Sequence, residues 1–69
     1  MSAVERCSRF VVRWLYQQGE STYDVLIENG HSAGFARHTV HRALVRNSGQ
    51  RWITYNKDDV RHYSLRDGS

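Results

Sequence analysis

A chain of 69 residues holds one domain at most, and it has to reach stability with a small core. Hydrophobic residues make up 39% and aromatic residues 12%, which excludes a disordered tail and suits a small globular domain. The formal charge of +3 is mild, yet nine of the ten basic residues are arginine and Lys57 is the only lysine. That bias favours a polyanionic partner, because a planar guanidinium fork matches phosphate and guanine better than an ammonium does.

The first segment, "SAVERCSRFVVRWLYQQG", carries Val4, Cys7, Phe10, Val11, Trp14 and Leu15 on one helical stripe. Glu5, Arg6, Arg9, Arg13 and Gln17 fall off it. The spacing predicts a helix over about 3–18, with Gly19 as its left-handed stop. "STYD", residues 21–24, reads as a capping box in which Ser21 accepts from the backbone and Asp24 reaches back. A second helix is therefore expected over about 22–29, turning Val25, Leu26 and Ile27 inward and stopping at Gly30.

"HSAGF", residues 31–35, allows two registers: a third helix that starts after Gly34, or one capped by Ser32 that starts at Ala33. The first is preferred and gives a helix over about 36–47, closed by Gly49. Beyond it, "QRWITYNKDDVRHYSL" is rich in strand formers with "NKDD" as turn material, so a β-hairpin is expected over about 51–65. Alternation puts Ile53 and Tyr55 on one face, with Tyr63 and Leu65 as their partners. Trp52 alternates away from Ile53, which leaves two readings, core-edge packing over the hairpin or a partly exposed partner surface, and the first is preferred. The tail "RDGS", residues 66–69, reads as a frayed end.

Cys7 is the only cysteine, so no intrachain disulfide forms and a reducing compartment is expected. On the apolar stripe, its thiol reads as buried and inert. No apolar run approaches the ~20 residues that span a bilayer, and charges interrupt "MSAVERCSRF" before a signal-peptide core could form. The expectation is a cytoplasmic, nucleoid-associated protein with no membrane partner. His38 and His41 lie three apart, but there is no cysteine-rich zinc pattern, and neither metal nor cofactor is expected. Without a glycine-rich phosphate loop or paired-carboxylate cleft, and with little room for a pocket, the chain reads as no enzyme, with no small-molecule substrate.

The stretch "GFARHTVHRAL", residues 34–44, carries the most chemistry. At about 100° per residue, Ala36, Val40, Ala43, Leu44 and Asn47 point one way and His38, His41, Arg42, Val45 and Arg46 the other, with Arg37 and Thr39 on the flanks. A basic exposed helix face often serves solubility alone. Three helices followed by a hairpin, however, resembles the winged helix-turn-helix DNA-binding superfamily. "GFARHTVHRAL" is similar to its turn and recognition helix, and "RWITY…VRHYSL" to its wing. The resemblance covers about residues 4–65, and "IENGHSAG" is two or three residues longer than a tight helix-turn-helix connection.

The resemblance implies an α+β, mostly helical fold, a single winged-helix domain over 1–69, and a third helix lying in the major groove of double-stranded DNA. Arg37, His38, Thr39, His41, Arg42 and Arg46 are then the candidate contacts of that helix, and Lys57 and Arg61 those of the wing. Arginine pairs bidentately with guanine, histidine donates or accepts, and threonine reaches phosphate or a thymine methyl group. The wing could also use Arg51, with Asp58 and Asp59 turned away from phosphate. A regulator of transcription, or of a plasmid, viral or mobile-element function, is the expected role. A homodimer through the first helix or the hairpin edge would read two half-sites. The rival is a winged-helix module that binds protein and touches no nucleic acid.

Overall fold

The computed structural model describes residues 2–66, so "RDGS" after Arg66 lies outside the described residues. Three helices and three strands follow in the order α1 (Ala3–Gln18), β1 (Glu20–Thr22), α2 (Tyr23–Ser32), α3 (Arg37–Arg46), β2 (Trp52–Lys57) and β3 (Val60–Leu65). The fold is a helix-rich α+β domain.

Helix α1 has the predicted bounds. The Ser2 side chain accepts from the Glu5 backbone N–H at 3.1 Å, and Gly19, at φ +89°, ends the helix by donating to the Leu15 carbonyl. Cys7, Val11 and Leu15 are fully buried, while Phe10 and Trp14 sit half-buried at the stripe's edge. Ser8, off the expected stripe, is buried as well. Its hydroxyl donates to the Val4 carbonyl and accepts from Asn47 Nδ2, both at 2.8 Å, and so joins α1 to the end of α3.

The expected capping box does not form. Ser21 lies in β1 and accepts from Trp14 Nε1 at 2.8 Å, while Thr22 is the actual cap of α2, accepting from the Val25 N–H at 3.3 Å. Leu26 and Ile27 are buried, but Val25, expected inside, is exposed. Nor does Gly30 stop α2, which runs on to Ser32. Gly30 is needed for close packing: a Cβ built there would meet Val40 Cγ2 at 2.6 Å. The chain turns at Gly34, φ +103°, before α3 begins. The preferred register of the third helix therefore holds, with Ala36 and Asn47 as its flanking residues.

The sheet is antiparallel in the order β1-β3-β2. The hairpin forms where expected, with Trp52 opposite Leu65, Thr54 opposite Tyr63 and Asn56 opposite Arg61. Its turn residues Asp58 and Asp59 both have positive φ, 54° and 63°. That pattern matches the right-handed strand twist in a two-residue hairpin loop. Tyr63 and Leu65 share a face as expected, and it is the one turned to the core, but their partners on β2 are Thr54 and Trp52, not Ile53 and Tyr55. Trp52 is fully buried and donates from Nε1 to the Leu44 carbonyl at 3.2 Å, whereas Ile53 is exposed. The strand β1, which the sequence reading missed, pairs with β3 from Glu20–Ser64 to Thr22–His62.

One core joins these layers: Cys7, Val11 and Leu15 from α1, Leu26 and Ile27 from α2, Val40, Ala43 and Leu44 from α3, and Trp52 and Tyr63 from the sheet. Among the described residues every buried side-chain polar atom has a hydrogen-bond partner, as a stable interior requires.

Candidate nucleic-acid interface

Helix α3 is divided sharply between its two faces. Val40, Ala43 and Leu44 are at most 1% exposed. His38, His41, Arg42, Val45 and Arg46 are all exposed and line one shallow depression along the helix. That division follows from sequence period alone: the apolar side chains fall on one arc, α1 and α2 cover it, and the opposite arc is left to solvent. No carboxylate lines the depression. Among the described residues no ion pair takes Arg42 or Arg46, so both guanidiniums keep their donor forks for an outside acceptor.

His41 is held in place. Its Nδ1 is hydrogen-bonded to the Tyr23 hydroxyl at 2.8 Å, and the two rings meet edge to face at 5.9 Å. Tyr23 begins α2, so this contact ties the outward face of α3 to the start of the preceding helix. Val45, 62% exposed, is the one apolar group in the depression.

The remaining predicted contacts are dispersed. Thr39 is buried, with 9% of its surface exposed. It falls on the core side of the helix start and is not part of the outward face. Arg37 is exposed but pairs with Glu28 of α2; that guanidinium holds the Glu28 carboxyl below its ordinary value. Arg37 thus brings little net charge to the start of α3.

The two predicted wing residues lie on opposite faces of the hairpin. Lys57 shares the outer face with Tyr55, His62 and Glu20, and its Nζ lies 3.3 Å from Glu20 Oε1. Tyr55 donates to the other oxygen of Glu20 and stacks on His62 with ring centroids 5.7 Å apart. Arg61 shares the inner face with Tyr63, whose hydroxyl it approaches and whose burial pushes that phenol up. On this same face Thr54 meets Ser48, just beyond α3, at 2.9 Å. Arg61 and its cross-strand neighbour Asn56 therefore continue the surface that leads away from the end of α3.

Arg51 is bound to Glu5 of α1, Nη2 to Oε1 at 2.7 Å, and holds that carboxyl below its ordinary value. The Cys7 thiol is pushed up to about 11 by burial and stays protonated at neutral pH. Among the described residues no three histidine, cysteine or carboxylate side chains converge as a metal site, and no helix is long and apolar enough to cross a membrane.

No protein-family model, curated protein or solved structure matches the chain.

The sequence reading missed Ser8, Tyr23 and Glu20 as groups that position this surface. Tyr23 had a signal, an aromatic residue directly after the cap of a helix. Glu20 had none, because its partners Tyr55 and Lys57 are more than thirty positions away along the chain.

Proposed function

We propose that this protein binds double-stranded DNA through the outward face of α3, as a winged helix-turn-helix domain in which α3 is the recognition helix. The observation that carries the reading is the contiguous exposed set His38, His41, Arg42, Val45 and Arg46, free of carboxylates, on a helix whose other face is locked into the core. A rigidly seated helix with a donor-rich outer face suits a major groove, which admits one helix and displays acceptors on guanine. The order of three helices, then a hairpin, supports the same reading.

Within it, Arg42 reads bases and Arg46, at the end of the helix, contacts phosphate. Val45 suits the methyl group of thymine. Arg61 and Asn56 reach the duplex from the inner face of the wing, while Lys57 stays with Glu20. Two copies on neighbouring half-sites would lengthen the site read, as suits a regulator of transcription or of a plasmid, viral or mobile element.

The test is a titration of the protein against a duplex library at two salt concentrations. The expected result is binding that weakens steeply as salt rises, because counterions return to the phosphates, with selection of a short preferred sequence. Absence of duplex binding at low salt would refute the reading and leave the protein-binding alternative.

A further inference from the structure

A second surface lies on α1, made from residues other than those of the α3 face. Arg9, Val12, Arg13 and Tyr16 fall on one flank of α1, and Gln50, Arg51 and Leu65 from the sheet side complete a groove of about 690 Å³. Its chemistry is divided. Val12 and Leu65 are half-buried and give it an apolar floor. Arg9 and Arg13, one helical turn apart, stand exposed at its rim. Tyr16 is 82% exposed, the most exposed large apolar side chain among the described residues. No carboxylate lines the groove. Glu5 lies outside the lining, and it fixes the third guanidinium, Arg51, at 2.7 Å.

We propose that this groove docks an acidic peptide segment of a partner protein, with one apolar side chain seated between Val12, Tyr16 and Leu65 and flanking carboxylates on Arg9 and Arg13. Charge complementarity selects that occupant. A second copy presenting the same face would bring like arginines together, which disfavours a symmetric dimer here. A duplex would satisfy the arginines but offers no apolar group to its floor from the phosphate backbone. An acidic peptide with an aliphatic or aromatic anchor satisfies both halves, and the exposed tyrosine and arginines are the residue types that dominate such contacts. The proposal does not rest on the DNA reading, because none of the groove residues belongs to α3.

The experiment is a titration of isotope-labelled protein with the synthetic peptide Asp-Glu-Leu-Asp-Trp-Glu-Asp, followed by backbone amide shifts. Two control peptides accompany it, one with its carboxylates replaced by amides and one with Leu and Trp replaced by Ser. The expected result is saturable shifts at Val12, Tyr16, Gln50 and Leu65, with both controls binding about tenfold or more weaker. R9E/R13E should lose binding by a similar factor, and Tyr16→Ala, which leaves the charges in place, should also weaken it. Both variants alter exposed side chains, and an unchanged amide spectrum elsewhere shows that they remain folded. The proposal is overturned if the peptide gives no saturable shifts at millimolar concentration, if folded R9E/R13E binds it equally well, or if the control without apolar residues binds as tightly. It is also overturned if the groove amides respond to duplex DNA or to protein concentration but not to the peptide.

Discussion

Gly30 sits inside α2 because Val40 of α3 occupies the space a side chain would need. Gly30→Ala should therefore destabilise the domain by about 1–3 kcal/mol, the usual cost of overpacking, despite alanine's better helix propensity. Denaturant unfolding checks this, and Gly30→Ala with Val40→Ala should recover part of the loss; a more stable Gly30→Ala protein would mean that the two helices do not approach so closely. Three carboxyls act at the same scale. Glu5 is held below 4.5 chiefly by its hydrogen bond to Arg51, Glu20 by Tyr55 and then Lys57, and Glu28 by Arg37. A carboxyl whose value is depressed by folding stabilises the fold above its unfolded value and loses that contribution as pH falls through the depressed one. Melting temperature should accordingly hold from neutral pH to about 4.5 and then fall. The Glu20 and Glu28 pairs are solvent-exposed and the Glu5 pair is part-buried, so added salt should shrink the effect, least at Glu5. Glu20→Gln should flatten the acid limb, and an unchanged limb in that variant would place the acid sensitivity elsewhere.

Among the elements, α3 is anchored through Val40, which packs on Gly30 of α2, and Leu44, whose carbonyl accepts from Trp52; both lie in the core. Leu44→Asp should unfold the domain, because it places an unpaired charge in the core; a normal melting curve would mean that the inward face is misassigned. The hairpin offers the opposite experiment. Asp58 and Asp59 both adopt left-handed backbone angles that cost an ordinary residue about 1–2 kcal/mol. D58N/D59G should raise the melting temperature, since Asn-Gly is the preferred pair for such a turn. Helices α1 and α3 were legible in the sequence because their apolar residues recur at helical spacing over ten residues or more. The outward set on α3 followed from the same period. The face of β2 was not legible, unlike that of Tyr63 and Leu65 on β3: "WITY" puts large apolar residues on both faces, and only contact with Leu44 shows that Trp52 belongs inside. Strand β1 is three polar residues long and exists because β3 has a free edge to fill, a long-range cause with no local signal. Gly30 misled for a related reason, since a glycine that permits close packing looks the same in sequence as one that ends a helix. Thr39 lay on the flank of the helical arc, where only the packing of neighbouring elements decides exposure.

For the molecule as a whole, the charge of +3 is small, so its distribution matters more than its size. Three acidic residues are tied to Arg51, Arg37 and Lys57. Among the described residues, pairing these charges locally leaves Arg42 and Arg46 on α3 and Arg9 and Arg13 on the α1 groove outside any ion pair, with Glu5 within Coulombic reach of both Arg9 and Arg46, on a domain only 30 × 25 × 20 Å in extent. The domain could therefore hold DNA on one surface and an acidic partner on another. The most direct test of the DNA reading is duplex affinity at two salt concentrations for the wild type, Arg42→Ala and Arg46→Ala, with melting curves alongside. Both variants should stay folded, because exposed substitutions usually shift stability by no more than ~0.5 kcal/mol. Arg42→Ala should cost about 1–3 kcal/mol of binding and relax preference at one or two base pairs, whereas Arg46→Ala should weaken all duplexes about equally and reduce the salt slope by ~1. Wild-type affinity in both folded variants would contradict the account, because the outward face of α3 would then be a solvated surface and not the one that meets DNA.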